Sequence, residues 1–303
     1  MFIFRTISIV LIFSLYSCFA NLPEIVMTLA PVSTAAPTAT PSPSPTAVPT
    51  PTPKPPEKEG LENLKSQIEE LVSRLGGEWG VYIKNLETNE YMMINEHEMY
   101  SASLIKLFIM AAVYNEIEAG TITKDEHISE LLETMITESS NDAANELCEI
   151  LGNGDMLAGF DLENVHTRSI DCTYTIQNTD LQDNRANSTI EYRGRNYTSP
   201  RDCGHLLELI YNGELCGPEN SAEMLEYLKN QQTRYKIPQL LPEGTVIANK
   251  TGEMTGVEND AAIIYSPNCD YIISIMSNDA YDNSEAISGV QDISQLVYNY
   301  FNS

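Results

Sequence analysis

The stretch YSASLIKLFIM, residues 100–110, carries the pattern on which the rest of the chain depends. Its apolar residues recur at helical spacing and predict a buried helix face, with Ser101 as the N-cap. Ser103 and Lys106 are three positions apart, which places their Cβ atoms roughly 5–6 Å from each other on one helix face. At that separation the amine can take the hydroxyl proton, and the N–H groups of a helix N-terminus suit an anion or a developing oxyanion. The spacing therefore makes Ser103 a candidate nucleophile.

The first residues have the features of an export signal. Residues 1–20 combine one positive charge, Arg5, with an apolar run and a small-residue end, and they are too short for a stable membrane span. Two processing sites remain open. Cleavage can follow Ala20, or the stretch LYSC at 15–18 can act as a lipoprotein signal that ends before Cys18 and leaves that cysteine lipidated. Both alternatives predict an exported protein, at the extracellular face of the cell membrane or secreted.

A linker and one domain follow. Residues 21–56 form a linker rich in Pro, Thr and Ser, a composition that cannot bury a core and that stiffens toward polyproline II. This segment predicts a tether to a membrane or cell wall. Residues 57–303 are long enough for one good-sized domain, and we expect it to act as a monomer.

Composition excludes several classes of function. The formal net charge is −26, so the chain is a poor partner for nucleic acid or an anionic membrane surface. The domain contains five cysteines, an odd number, which leaves at least one outside any intramolecular disulfide. It has no CxxC pair, and its four histidines lack ligand spacing, so we predict neither a metal site nor a cofactor.

The hydrophobic pattern of the domain predicts a helix, a hairpin, a helical middle, three strands and a final helix. Residues 160–200 are polar with little periodicity and predict a long ordered loop. The predicted helices are 60–77, one ending near 120, 124–137, 141–151, 199–212, 219–231 and 284–301; the predicted strands are 80–85, 90–94, 245–250, 260–266 and 271–278. This order predicts an α+β fold: a five-stranded antiparallel sheet with the terminal helices on one face and a helical subdomain on the other.

Two further short motifs carry groups that a serine–lysine enzyme needs. Ser139-Ser140-Asn141 precedes a predicted helix; its first hydroxyl can relay a proton, and its amide can hold a substrate carbonyl or the lysine. Lys250-Thr251-Gly252 closes a predicted strand. There the lysine offers a positive charge, the threonine a hydroxyl for a carboxylate, and the glycine room for close backbone approach.

In this order, the three motifs resemble the signature set S-x-x-K, S-x-N and K-T-G of the serine β-lactamase and penicillin-binding protein superfamily. The flanking residues are similar to those of the class A-like branch, and the resemblance covers nearly all of residues 60–303. The flanks are MITESSNDAAN at 135–145, YTSP at 197–200, and KTGE at 250–253 with NDA at 259–261. The fold implied is that of β-lactamases and D-Ala-D-Ala peptidases.

The resemblance implies a catalytic role for each motif. Ser103 would attack a carbonyl to form an acyl-enzyme, and Lys106 would be its general base, with a pKa lowered by burial and by Lys250. Ser139 would pass the proton to the leaving nitrogen.

The same resemblance implies the substrate contacts. Asn141 would orient the substrate amide, and Lys250 with Thr251 would bind a substrate carboxylate beside Gly252. The backbone N–H groups of Ser103 and Glu253 would form the oxyanion hole.

For the residue that would hydrolyse the acyl-enzyme, the sequence leaves two carboxylates open. Class A enzymes use a glutamate in a loop before a Thr-Pro turn. Counting back from Pro200 puts Asp183 at that position and Asn187 at its companion asparagine. Glu191 is the other carboxylate available. If neither reaches the water, Ser103 would acylate and then stall.

Three functions follow from these expectations. The first is an exported class A-type serine hydrolase that opens β-lactam amides through an acyl-serine. The second is a D-Ala-D-Ala peptidase or another acyl-transfer enzyme acting on cell-wall peptides. The third is a β-lactam-binding or scaffolding ectodomain without turnover. The partner is thus a small-molecule β-lactam or a cell-wall peptide.

Overall fold

The computed structural model of this protein describes residues 60–182 and 193–303. Contacts divide the chain into two units, and the described residues all belong to the second, Pro56–Ser303. The predicted signal peptide (1–20) and linker (21–56) lie outside the described residues, so both stay predictions.

Five strands form one sheet in the order β2-β1-β7-β6-β5, and each neighbouring pair is antiparallel. The strands are β1 Glu78–Asn85, β2 Tyr91–Ile94, β5 Val246–Met254, β6 Val257–Tyr265 and β7 Asp270–Asn278. Two short strands, β3 Met99–Tyr100 and β4 Tyr197–Thr198, form a separate pair. The predicted five-stranded antiparallel sheet is confirmed. The short pair was not predicted, because two residues are too few for an alternating pattern.

Eight helices and one 3₁₀ turn account for most of the remaining described residues. The helices are α1 Leu61–Val72, α2 Ile105–Glu118, α3 Glu126–Thr137, α4 Asn141–Leu151, α5 Met156–Ser169, α6 Pro200–Tyr211, α7 Gly217–Lys229 and α8 Asn283–Asn302, and the 3₁₀ turn is Ala102–Leu104.

Helix α5 corrects the prediction of a loop over residues 160–200. Its buried face contains Glu163, Asn164 and Thr167 as well as Phe160, so it has no apolar stripe from which a helix could be read.

The sheet separates two cores, as predicted. On one face α1 and α8 pack over the strands, and the core includes Ile68, Ile273 and Val290. On the other face lies the helical subdomain around α2. Residues Ile105 to Tyr114 of α2 are all buried, including Lys106. Burying each aliphatic side chain contributes about 1.5–3 kcal/mol, so this helix is a fixed support for what its first turn carries.

The predicted capping role of Ser101 is wrong. Ser101 has helical backbone angles, and its side chain makes no capping bond to the turn. Its N–H donates to the Asn196 carbonyl at 3.1 Å, and Ala102 has a positive φ of 44°. The chain therefore enters α2 through a turn fixed by contacts with distant segments, which local sequence does not encode.

Within the part of the chain that the structure describes, no helix is both long and apolar enough to cross a membrane. Four cysteines of this part, Cys148, Cys172, Cys203 and Cys216, are free thiols, and the first three are buried.

Candidate active site

Ser103 and Lys106 meet at the start of α2. Ser103 lies in the 3₁₀ turn and Lys106 in the first turn of the helix. The Lys106 Nζ lies 3.1 Å from the Ser103 Oγ, as the three-residue spacing predicted. Since Lys106 is fully buried, its amine exchanges water for protein partners, and this desolvation disfavours the charged form of a buried amine in general.

The turn before α4 brings the second motif to the same amine. Ser139 has a positive φ of 61°, which aims its carbonyl at Lys106 Nζ, 2.6 Å away. Its hydroxyl accepts hydrogen bonds from Lys106 at 3.2 Å and from Lys250 at 2.9 Å. The Asn141 Oδ1 accepts from Lys106 at 2.7 Å. The structure therefore brings the first two motifs together as predicted.

Lys250, on β5, completes the group from the sheet. Its side chain is fully buried. Burial lowers the pKa of Lys250 well below its ordinary value, and the charge of Lys106 lowers it further, while Asp260 opposes both effects. The site therefore disfavours a state in which both amines are protonated.

The approach of β5 to the 3₁₀ turn requires glycine at position 252. A Cβ there would lie 2.8 Å from the Ser101 carbonyl oxygen and 3.1 Å from the Ser103 backbone nitrogen. The K-T-G strand thus runs directly beside the nucleophile's backbone N–H. Thr251 is buried, and the half-exposed Glu253 side chain accepts a hydrogen bond from the Tyr235 hydroxyl.

Sequence reasoning missed the residues that hold this approach in place. Asn259, on β6, donates to the carbonyls of Tyr100 at 2.9 Å and Ser101 at 3.2 Å, and its Oδ1 accepts from the Ser277 N–H at 3.1 Å. It therefore joins the central strands to the turn that carries the nucleophile. Asn259 is the first residue of the flank NDA at 259–261, but the sequence alone does not predict these hydrogen bonds.

A buried lysine behind β5 was also missed. Lys236 is fully buried and forms an ion pair with Glu258 at 2.6 Å. Its amine also donates to the carbonyls of Gly252 at 3.2 Å and Asn259 at 3.3 Å. Lys236 lies in no recognisable motif, because the partners of its amine in the sheet are distant in the sequence.

A loop segment passes over the site and is held by asparagine side chains. Asn145 lies one helical turn beyond Asn141 on α4, and these two positions share a helix face. Its side chain accepts from the Leu181 N–H at 2.8 Å and donates to the Leu181 carbonyl at 2.7 Å. The Leu181 backbone is therefore tied to α4 one turn beyond Asn141.

Two other asparagines hold the same segment in the same way. Asn164, on α5, bonds both backbone groups of Gln177, each at 2.8 Å. Asn196 accepts from the Thr179 N–H at 3.0 Å and donates to its carbonyl at 3.0 Å. These paired hydrogen bonds satisfy backbone N–H and carbonyl groups that a neighbouring strand would satisfy in a sheet. Asp183, Asn187 and Glu191, the sequence-derived deacylation residues, lie outside the described residues.

A cavity of about 280 Å³ opens beside the nucleophile, between this segment and β5. Its lining includes Ala102, Leu181 and Met254. Within residues 60–182 and 193–303, no group of three His, Cys, Asp or Glu side chains is arranged to hold a metal ion.

An α+β domain with two hydroxyls and two buried amines around one cleft defines a class of serine enzyme. Residues 63–130 and 127–301 match the family described as the β-lactamase enzyme family. The chain belongs to this family. Comparison with curated protein sequences finds no match.

Solved structures with the same fold include both β-lactamases and PBP-A. A variant of the TLA-1 extended-spectrum β-lactamase is 21% identical, with 81% of this chain and 100% of that chain covered and a TM-score of 0.71. The β-lactamase from Sphaerobacter thermophilus is 20% identical, with 80% and 98% covered and a TM-score of 0.68.

PBP-A is 26% identical, with 82% of this chain and 98% of that chain covered and a TM-score of 0.70. It has also been solved as a leucine-to-glutamate variant in an acyl-enzyme complex with penicillin G. The resemblance inferred from the three motifs is confirmed.

Proposed function

We propose that this protein is an exported serine hydrolase that opens β-lactam amides by forming an acyl-enzyme on Ser103. The observation that carries the proposal is the convergence of Lys106 and Lys250 on the Ser139 hydroxyl, with Lys106 also 3.1 Å from Ser103 Oγ. Export rests on the pattern of residues 1–20, and the tether on residues 21–56.

The hydrogen bonds of Lys106 fit a general base. Its two shortest bonds go to groups that can only accept, the Ser139 carbonyl and the Asn141 Oδ1. A neutral amine can donate to both and still accept the proton of the Ser103 hydroxyl through its lone pair. The Ser103 Oγ then attacks the carbonyl carbon while the proton moves to Lys106.

The remaining groups stabilise the tetrahedral intermediate, protonate the leaving nitrogen and hold the substrate. The backbone N–H groups of Ser103 and Glu253 stabilise the oxyanion. Ser139, bonded to both lysines, transfers its proton to the departing ring nitrogen and receives from Lys106 the proton that came from Ser103. Lys250 and Thr251 hold the substrate carboxylate, and its negative charge favours the protonated form of Lys250.

A second candidate, a penicillin-reactive D-Ala-D-Ala peptidase with slow β-lactam turnover, is favoured by one observation. The loop residue that Asn145 fixes beside the site is Leu181, an apolar side chain that cannot activate water. The 26% identity to PBP-A, whose acyl-enzyme with penicillin G was solved as a leucine-to-glutamate variant, supports the same candidate.

One experiment tests the proposal and separates the two candidates. Purified protein and its Ser103→Ala variant are incubated with a fluorescent penicillin and with a chromogenic cephalosporin. Covalent labelling or turnover that requires Ser103 supports acylation, and the absence of both overturns the proposal. Steady turnover identifies a β-lactamase, whereas a label that persists is expected of the second candidate and equally of a β-lactam-binding domain without turnover.

Leu181→Glu adds a direct test of the loop residue. A carboxylate at this fixed position can act as a base for water, so we expect the acyl-enzyme to decay about tenfold faster or more. Leu181→Gln, of the same length but without the charge, is the matched control. Equal decay in both variants would contradict a role for this position in deacylation.

A further inference from the structure

The cavity beside Ser103 is small and mixed in character. Its volume of about 280 Å³ is below the range of roughly 300–1,000 Å³ typical for whole small-molecule ligands. A cavity of this size suits one substituent of a ligand rather than an entire molecule. Because Ala102 lies in its lining, the cavity begins next to the nucleophile.

The lining of the cavity is largely apolar and includes one cationic residue. The lining includes Tyr100, Ala102, Leu181 and Met254, and Arg195 is its one cationic residue. Arg195 is also an exposed residue. A positive charge here stands out in a chain whose net charge is −26.

The guanidinium of Arg195 is held in position. It stacks over the Tyr100 ring at 4.3 Å from the centroid, and that ring packs against Tyr197 at 5.3 Å. The Arg195 carbonyl accepts from the Asn178 side chain at 2.8 Å, which fixes the backbone. A stacked guanidinium loses little freedom when it binds a planar anion, so it is prepared for a carboxylate.

Among the residues that the structure describes, no carboxylate forms an ion pair with Arg195. By contrast, Arg193, two residues earlier, pairs with Asp161 at 2.9 Å. The one carboxylate that lines the cavity, Asp180, is 4% exposed and accepts from the Thr179 hydroxyl at 3.0 Å. Arg195 is therefore available to an incoming ligand, whereas the Asp180 carboxylate is largely covered.

We propose that this cavity is a subsite for the acyl side chain of the substrate and that Arg195 selects side chains that end in a carboxylate. The proposal rests on the proposed acylation of Ser103 and specifies which substrates that reaction prefers. The apolar lining would receive the methylene part of the side chain, and Arg195 would bind its anionic end. The substrate class is thus an amide whose acyl half carries a second carboxylate.

The test uses two cephalosporins that differ only in the end of the acyl chain. One is acylated with glutarate and the other with pentanoate, so that a terminal carboxylate replaces a methyl group. We expect the intact protein to be acylated with a higher kcat/KM by the glutaryl compound. In Arg195→Gln the ratio of the two kcat/KM values should fall about tenfold, which corresponds to about 1.4 kcal/mol for one charge-assisted contact at the surface.

Two further variants make the result specific. Arg193→Gln removes a neighbouring positive charge outside the cavity and should leave the ratio unchanged. Arg195→Lys keeps the charge without the planar fork and should retain only part of the preference. An unchanged ratio in Arg195→Gln, or an equal fall in Arg193→Gln, would overturn the subsite.

The pentanoyl compound separates this proposal from the proposed function. If it acylates Ser103 at the same rate in all variants while the ratio does not respond to Arg195, only the subsite is wrong. If neither compound labels Ser103 or is turned over by the intact protein, the proposed function itself fails, and the subsite fails with it.

Discussion

Two buried lysines share one hydroxyl in this site, and this arrangement links their charge states. Lys106 and Lys250 both donate to the Ser139 Oγ, and burial together with the charge of Lys106 lowers the pKa of Lys250. A substrate carboxylate placed beside Lys250 would offset both effects. Binding of an anionic substrate and protonation of Lys250 should therefore favour each other.

Replacing Lys250 should discriminate between substrates with and without a carboxylate. In Lys250→Ala we expect kcat/KM for acylation by a penicillin to fall about 100-fold, because a desolvated charge-assisted contact is lost. For the methyl ester of the same penicillin the fall should be much smaller. Stopped-flow acylation rates measure both, with Lys229→Ala as a control at a partly exposed lysine. Equal falls for acid and ester would remove the assigned role.

The lowered pKa of Lys250 also gives a pH dependence with a definite sign. Lys250 binds its proton less tightly than an ordinary lysine, so raising the pH through this lowered pKa leaves it neutral. We expect the ratio of acid to ester acylation rates to decrease as the pH rises. Titration of the general base affects both substrates and cancels in the ratio. A ratio that rises with pH would contradict the assignment.

At the scale of elements, the site depends on how closely β5 approaches the 3₁₀ turn. In Gly252→Ala the added Cβ would meet the Ser101 carbonyl oxygen at 2.8 Å and the Ser103 nitrogen at 3.1 Å, so strand and turn must separate. We expect a loss of at least about tenfold in penicillin labelling, since small displacements of reacting groups are costly. Gly60→Ala, where a Cβ meets nothing within 4 Å, is the matched control.

The loop segment over the site depends on asparagine side chains rather than on a strand partner. In Asn145→Ala both backbone groups of Leu181 lose their partners. We expect the free energy of unfolding in urea to fall by about 1–2 kcal/mol, the usual range for lost hydrogen bonds. Asn145→Asp keeps an acceptor for the Leu181 N–H and should lose less. If alanine and aspartate cost the same, the hydrogen bond that residue 145 accepts from the Leu181 N–H contributes nothing to stability.

These elements show what the sequence could and could not predict. The contact between Ser103 and Lys106 follows from helical spacing, so local pattern was enough. The approach of Ser139 and Lys250 required the resemblance to a known family, since their separation in the chain hides it. Asn164 and Lys236 could not be found at all, because a buried asparagine or lysine in a helix or loop is only meaningful once its partners are known.

At the scale of the whole molecule, one buried acid makes stability depend on pH. Glu163, on α5, is fully buried, and burial raises its pKa from 4.5 to about 8. Its Oε1 accepts from the Thr167 hydroxyl at 3.1 Å, while its Oε2 has no hydrogen-bond partner among the described residues. The folded protein therefore holds Glu163 neutral near pH 7.

Removing this titration should flatten the stability profile. Because the folded pKa is raised, the contribution of the neutral group is complete below pH 4.5 and is lost as the pH rises through about 8. In Glu163→Gln that loss disappears. We expect the variant to gain up to about 4 kcal/mol relative to the intact protein between pH 5 and pH 9. Urea unfolding at several pH values measures this, and parallel profiles would contradict it.

The positive φ of Ser139 sets stability against activity at one position. A non-glycine residue in the left-handed region costs on the order of 1 kcal/mol, and glycine would remove that cost. Glycine would also delete the hydroxyl that both lysines contact. Under the proposed mechanism, the residue that relieves this strain would therefore also remove the proton-transfer group, so folding and catalysis would favour different residues at position 139.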